Sequence, residues 1–528
     1  MSAATRPGGP GQVLAGLLLA GVVLWLLVPF AGVDPPAGLT VSNAPWTDEG
    51  FNLANARERA LTGQFATGDV DRSLTNGAYS ALAAATFAVT GPSLAAGRAL
   101  SMVAVAGAVL LFALGLARPL GRPAALLAAA ALGGANLMLE YGRLALVEAT
   151  VVLLLAGAFV LATRAAWRPS VAAGAGVGLL VAAAVSIKAN ALLPGAVLLG
   201  VVLVAAAVRR DRRALAMGLA GLATLALAVA AWLVAVALPN WERLRTALRI
   251  WPTVEYLGTP AAIAGRVGRY LADSDQALGR SLPLLLAAVL GLAALARRWP
   301  RLEPAARDAL VMAALWGVGL WLAVAVGDYL PDHYIAPNRY VVPALPGLAV
   351  LTGFGLADLA TLAGRAFGGG RARWVAATVA VVLGAAVALP GAVRYLEDAR
   401  ASGRLREQGQ RALASSLPRN AVVYGAYAPT MLFDTRLTTL TPWPSADANV
   451  RDPVGRFGVT HVLAGAGPAD PTATVAGLTA GPARQRLARI PWGGGELSLY
   501  GPPNDLAAAV SPVGSPIDYD PLADSSPP

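Results

Sequence analysis

The 528-residue chain has no cysteine, two histidines and, among its 41 basic residues, a single lysine, Lys188. Without thiols there is no disulfide framework, no thiolate metal site and no cysteine nucleophile. Charge is scarce as well. Asp, Glu, Lys and Arg together make up 13% of the residues, roughly half the share that a soluble domain carries because its surface must face water. That deficit excludes the row of soluble domains that length alone would suggest. What fills the chain instead is apolar: 56% hydrophobic residues and a mean hydropathy of +0.59. The net charge of +11 comes from arginines in short clusters between apolar runs, which is a topology signal and not a nucleic-acid-binding face. The chain reads as a polytopic membrane protein whose medium is the lipid bilayer, and no nucleic acid partner is expected.

Crossing the hydrocarbon core takes about 20 mostly apolar residues. Runs of this kind fall near 13–31, 99–117, 123–139, 147–163, 172–187, 190–207, 214–238, 282–296, 309–327, 340–360 and 375–391, with an ambiguous alanine-rich stretch at 78–90. The expected fold is therefore an all-α polytopic bundle of about eleven transmembrane helices. Arginine counting orients it. The clusters Arg118/Arg122, Arg164/Arg168, Arg209–Arg213, Arg297–Arg301 and Arg365–Arg373 flank alternate connections, so they share the cytoplasmic side if the N-terminus is cytoplasmic. The first run is read as a retained helix, not a signal peptide, because it is long for a signal core and no small-residue cleavage pattern follows. The chain is thus expected to be a multi-pass protein of the plasma membrane, with its bundle over 1–391.

In this orientation the outer side receives the loops 32–77, 140–147, 188–189, 239–281 and 328–339, and everything after the last run. Within the long loop, Trp241, Leu244, Leu248 and Trp251 fall on one face of an interfacial helix. Residues 392–504 change in composition and read as a small extracytoplasmic α/β domain. A charged helix near 397–416 leads to strand-like segments at 421–424, 461–463 and 497–500. The Pro-, Ser- and Asp-rich residues 505–528 read as a disordered tail.

Ionisable groups at the edge of the hydrocarbon are costly and mark functional candidates. Four groups stand out, all on the outer side. Thr47-Asp48-Glu49-Gly50 opens an amphipathic helix running to Gly63, with Thr47 as its N-cap; the plain reading is that the two acids complement the positive helix end. Glu148 interrupts the apolar run after Glu140-Tyr141-Gly142-Arg143, where Arg143 is its obvious local partner. Lys188 sits between two runs, either snorkelling to the headgroups or offering a point charge to a phosphate. Asp332-His333-Tyr334 and Asn338-Arg339-Tyr340 bring an imidazole, a guanidinium and phenols to one turn, and Arg matches phosphate with a rigid donor fork. No single motif is decisive, but acids early in the chain and phosphate-type donors later all land on the same face.

This order of motifs resembles the GT-C superfamily of polytopic glycosyltransferases, in particular the family 39/83 branch of protein O-mannosyltransferases and the lipid A aminoarabinose transferase. The residues that carry the resemblance are Trp46-Thr47-Asp48-Glu49-Gly50, Tyr141 to Glu148, Lys188 and Asn338 to Pro346, over roughly residues 10–360. The resemblance implies an inverting transfer from a polyprenyl-phosphate-linked sugar to a lipid, glycan or protein acceptor. Asp48 would be the general base with Glu49 beside it, and Glu148 a second acidic site residue. Arg143, Lys188, His333, Tyr334, Arg339 and Tyr340 would bind substrate, the cations neutralising the leaving phosphate. Many relatives carry Asp where Glu148 stands. No cofactor is required on this reading, although Asp48, Glu49 and Glu148 have the oxygen chemistry to hold Mg²⁺ or Mn²⁺. A secondary transporter, or a non-catalytic membrane scaffold presenting its external domain, are the rival readings. A transporter predicts charges near the bilayer midplane and a repeated half-structure; the charges here cluster at one face and no repeat is evident.

Overall fold

The computed structural model describes residues 9–36, 39, 44–65, 71–242, 244, 255–256, 259, 261, 264–265, 277–328, 337–368, 371–441, 457–465, 486–492 and 495–501. Most of the helix expected over 240–251, His333, Tyr334 and the tail 505–528 lie outside them.

The chain divides into two compact units at Arg404/Leu405. Among the described residues, nine helices are long and apolar enough to cross a membrane, or ten if a bent pair counts as one span, and the apolar helix Val171–Ile187 is slightly shorter. These correspond one for one to the eleven runs read from the sequence. The surface of the helices is apolar where a soluble protein would be charged: Trp25, Val89, Val208, Leu227 and Val381 are all widely exposed. Such a surface is stable only against lipid.

Helix α1 (Pro10–Leu27) enters the bundle, α2 (Ala44–Thr62) and α3 (Ser73–Thr90) follow the first connection, and α4 (Leu94–Gly115) returns alongside α1. Helix α2 begins at Ala44, so Thr47 lies inside its first turn and is not the N-cap; Pro45 starts the helix because its missing N–H costs nothing there. The helix Leu345–Phe367 is the axis of the bundle, 89% of its span window being buried. Its Leu356 packs with Leu127, Ala287, Leu383 and Val387 from three surrounding helices. The span after α4 is broken: Arg122–Gly134 and Asn136–Gly142 meet at a 59° bend. Ala135 there is extended (φ −65°, ψ 123°), behind two glycines that weaken the helix.

The arginine-bearing connections meet one another at one end. Arg164 donates to the carbonyls of Leu114 and Gly115, Arg118 stacks on Trp167, Arg209 pairs with Asp308, and Arg297 and Arg298 both pair with Asp358. The helices Glu148–Ala165 and Leu345–Phe367 each have their arginine at this end and begin at the other. At that other end a two-residue antiparallel pair joins β1 (Glu255–Tyr256) to β2 (Gly327–Asp328). The last long helix continues past the expected boundary at 391/392 to Ala401. Its apolar run ends there, but Tyr395 and Ala399 are buried, Tyr395 meets Phe30 edge-on at 5.9 Å, and Asp398 pairs with Arg280 at 2.9 Å.

The second unit opens with the helix Leu405–Ser416, separated by a break at 402–404 from the charged turns before it. Its five-stranded sheet has the order β4-β3-β5-β7-β6, with β3 (Val422–Tyr424), β4 (Thr438–Leu440), β5 (His461–Gly465), β6 (Arg486–Trp492) and β7 (Gly495–Tyr500). β3 runs parallel to β4 and β5, and β7 antiparallel to β5 and β6. Tyr424, Leu440, Val459 and Val462 form a core on the sheet. Three of these strands were legible from sequence; β4 and β6 were not read.

Candidate functional site

Four charged side chains from distant parts of the sequence meet at the end of the bundle opposite the arginine-rich connections. Glu148 is the first residue of the helix Glu148–Ala165 and is fully buried, its negative charge at the positive end of the helix. Lys188 follows the helix Val171–Ile187 with an extended backbone (φ −154°, ψ 118°), before the 3-10 turn Ala189–Ala191. Its Nζ donates to Glu148 Oε1 at 2.5 Å. Arg339, on the short helix Pro337–Val341, donates Nη1 to Asp48 of α2, and its Nε lies 3.0 Å from Glu148 Oε1 in an ion contact. The Tyr340 ring lies against both cations, 4.6 Å from Lys188 Nζ and 5.8 Å from Arg339 Cζ. Two cations this dehydrated persist because two carboxylates neutralise them.

The cluster is framed by apolar packing. Trp316, fully buried, donates its indole N–H to Pro343 O at 2.7 Å and packs on Phe159 at 5.7 Å. The segment carrying Arg339 and the helix carrying Glu148 are thereby tied through one tryptophan. Glu148 Oε2 is buried and accepts no hydrogen bond among the described residues, so one oxygen of the central carboxylate is held and the other is available.

Not all of the expected site residues gather here. Glu49 follows Asp48 in a helix, where successive side chains project about 100° apart, and it points elsewhere. Both of its oxygens are taken by Arg98, at 2.8 and 2.6 Å, and the first also accepts from Ala145 N at 2.7 Å. Arg143 is not the partner of Glu148 either. Fully buried, it donates to Val33 O at 2.8 Å and Asp34 O at 2.9 Å, with Glu140 Oε2 at 3.4 Å. Its donors face the chain leaving α1, so the substrate contact expected of Arg143 has no exposed surface to act through. Lys188 does not snorkel; it is 12% exposed and paired with a buried carboxylate.

Sequence reading missed Arg98 and Arg280. Arg98 lies within the apolar helix α4, one residue before the run read from the sequence, and a buried charge at such a position was the available signal. Arg280 joins Asn136 Oδ1 at 3.2 Å to Asp398 at 2.9 Å, and its two partners, 144 and 118 positions away, are brought to it only by the fold.

Glu49 is consumed by Arg98, while Asp48 and Glu148 already face cations, and among the described residues no group of three or more carboxylate or imidazole side chains converges. A groove of about 460 Å³ between α2 and α3, lined by Arg59, Phe65 and alanines of α3, is apart from the cluster.

The bundle, with the small α/β unit that follows its last long helix, has the GT-C fold. Solved structures share it over nearly the whole chain. ArnT from Cupriavidus metallidurans in the apo state is 18% identical with a TM-score of 0.62, covering 94% of this chain and 98% of that one. The same protein bound to undecaprenyl phosphate is 16% identical with a TM-score of 0.61, covering 96% of this chain and 100% of that one. The oligosaccharyltransferase of Archaeoglobus fulgidus in the apo form is 11% identical with a TM-score of 0.52, covering 86% of this chain and 69% of that one. No known family profile and no curated protein matches the sequence.

Proposed function

We propose that the protein transfers a sugar from a polyprenyl-phosphate carrier to an acceptor hydroxyl at the outer face of the membrane, with inversion at the anomeric carbon. The observation that carries this reading is the Asp48–Arg339–Glu148–Lys188 cluster, two cations balanced by two carboxylates at the end of the bundle away from the arginine-rich connections. Charge at one end, and not at mid-depth, suits an enzyme at the lipid headgroups better than a transporter path. A site facing outward has no access to cytoplasmic nucleotide sugars, so its activated sugar arrives on a lipid. ArnT with bound undecaprenyl phosphate, a relative in fold, supports a carrier of that chemistry.

The cluster suggests how the residues divide the work. A carrier phosphodiester has one negative charge, and its phosphate gains another as the bond to the sugar breaks. Lys188 and Arg339 are placed to meet that charge as it develops. Once a phosphate engages Arg339, the guanidinium leaves Asp48, whose carboxylate then turns to the acceptor hydroxyl. The acceptor oxygen bonds to the anomeric carbon from the face opposite the carrier, the carbon–oxygen bond to the phosphate breaks, the proton goes to Asp48 and polyprenyl phosphate departs. Glu148 keeps Lys188 in place through Oε1 and offers Oε2 to a hydroxyl of the sugar or the acceptor. The side-chain cations perform the neutralisation for which other enzymes use a metal, so the reaction is metal-independent on this reading.

The test uses the full chain in lipid nanodiscs with radiolabelled undecaprenyl-phosphate-linked mannose or arabinose and a membrane extract as acceptor source. Asp48→Asn should lower transfer by about 10²–10⁴-fold, the usual contribution of a general base, while affinity for undecaprenyl phosphate changes by less than about threefold. Transfer by the unmodified protein should persist in EDTA. Wild-type rates from Asp48→Asn would remove Asp48 from the role of base, and no transfer from any carrier-linked sugar would remove the reaction itself.

A further inference from the structure

Arg98 and Glu49 form a buried ion pair in the first unit, and the proposed chemistry uses neither. Glu49 is fully buried and Arg98 is 1% exposed. Their contact is bidentate, with two parallel N–H donors on two carboxylate oxygens. The remaining donor group of Arg98, Nη1, meets two carbonyls at the end of the first span, Ala31 O at 2.7 Å and Val33 O at 2.8 Å. Glu49 Oε1 also receives Ala145 N, three residues before Glu148. One ion pair therefore joins the chain leaving α1, the turn of α2 that carries Asp48, and the loop that delivers Glu148.

Helix α4 supplies further contacts to the same places. Ser101, one turn beyond Arg98, donates to Leu146 O at 3.2 Å. Gly97 lets α2 and the loop approach α4 closely: a Cβ at Gly97 would lie 2.4 Å from Leu53 Cδ1 and 3.2 Å from Ala145 Cβ. Asp48 and Glu148 both pair with Arg339, one from each of the two segments that Arg98 ties together.

We infer that Arg98, acting through Glu49 and Ala145, is a positioning residue that sets the separation between Asp48 and Glu148 around Arg339. The inference rests on the transferase reading of that cluster. A buried pair is broken by removing either partner, which leaves an uncompensated charge, whereas a fork-shaped contact is only partly replaced by the point charge of lysine. Loss of the fork lets the first turn of α2 and the 143–147 loop drift independently. Misplacement of a reacting group by about 1 Å costs rate on the order of 100-fold, without requiring that the carrier bind more weakly.

The experiment compares Arg98→Gln, Arg98→Lys, Glu49→Gln and the milder Gly97→Ala in nanodiscs, with rates normalised to folded protein. Arg98→Gln should lower kcat by about 30- to 100-fold while KM for the undecaprenyl-phosphate-linked sugar moves less than about threefold. Arg98→Lys should recover part of that loss, and Gly97→Ala should fold and show a smaller fall in kcat. The acidic limb of the pH–rate profile should stay where it is in all four. Unchanged kcat per folded enzyme in Arg98→Gln and Gly97→Ala overturns the inference, as does a shifted acidic limb in Glu49→Gln, which would make Glu49 itself a titrating catalytic group. Hydrogen exchange over 44–55 and 143–148 supplies a readout free of activity: faster exchange in both segments of Arg98→Gln is expected, and unchanged exchange counts against the inference. If the unmodified protein transfers nothing, the transferase reading fails by itself, while the exchange arm still decides whether Arg98 holds the two segments together.

Discussion

At the scale of single residues, the chain's one lysine has well-defined neighbours. Lys188 Nζ lies 2.5 Å from Glu148 Oε1 and over the Tyr340 ring, a compact charge in a space where a guanidinium fork would have to displace one neighbour. Lys188→Met should weaken binding of undecaprenyl phosphate by about 10- to 100-fold, the value of one charge-assisted contact at about 1.5–3 kcal/mol, and Lys188→Arg should restore only part of it. Equilibrium binding of the radiolabelled carrier to nanodiscs checks this; wild-type affinity in Lys188→Met would confine the lysine to supporting Glu148. That Lys188, Glu148 and Arg339 would each need a charge partner was legible in the sequence because a charge beside an apolar run has to be compensated. Their pairing was not. Arg143, five residues from Glu148, was the nearest cation in sequence, yet Lys188 and Arg339 are the partners, and only the fold brings residues 40 and 191 positions apart together. Asp48 and Glu49 illustrate the same limit, since a shared position at a helix start says nothing about which tertiary partner each neighbouring side chain will meet.

At the scale of elements, hydrophobic run length located the spans well because it is a local property with a fixed physical requirement. It was blind to the bend at Ala135 and to the extension of the last span to Ala401, both of which depend on neighbours. The bend is where the last helix crosses: a Cβ on Gly391 would lie 2.2 Å from Gly134 O and 2.8 Å from Asn136 N, and one on Gly134 would lie 2.6 Å from Ala388 Cβ. Backbone has little freedom to retreat at such a crossing, in contrast to the tip of a flexible side chain. Gly391→Ala should therefore destabilise the bundle by about 1–3 kcal/mol through overpacking, seen as a lower Tm in detergent. Gly200→Ala, where a Cβ meets nothing within 4 Å, should leave Tm unchanged or slightly raised, because alanine is the better helix former. In the second unit, β6 opens Arg486-Leu487-Ala488-Arg489-Ile490, which does not alternate apolar with polar, and a register shift between Arg486 and Ala488 interrupts its start. Strand β4 spans three residues, too few for a periodic signal.

At the scale of the whole molecule, the proposed chemistry depends on which side of the membrane the charged cluster occupies. Five arginine clusters at one end and the Asp48–Arg339 cluster at the other give the bundle a polarity, and the positive-inside rule assigns the arginine end to the cytoplasm. The absence of cysteine makes this directly measurable, since any introduced thiol is unique in the chain. Arg301 lies exposed in the connection after Arg297 and Arg298, and Asn420 lies exposed in the second unit just before β3. With a membrane-impermeant maleimide, Asn420→Cys should label in intact spheroplasts, while Arg301→Cys should label only after permeabilisation. The reverse pattern would place Asp48 and Arg339 on the cytoplasmic side. A cytoplasmic site has direct access to nucleotide sugars, so the argument for a lipid-borne donor would lose its physical basis even if the cluster itself were intact.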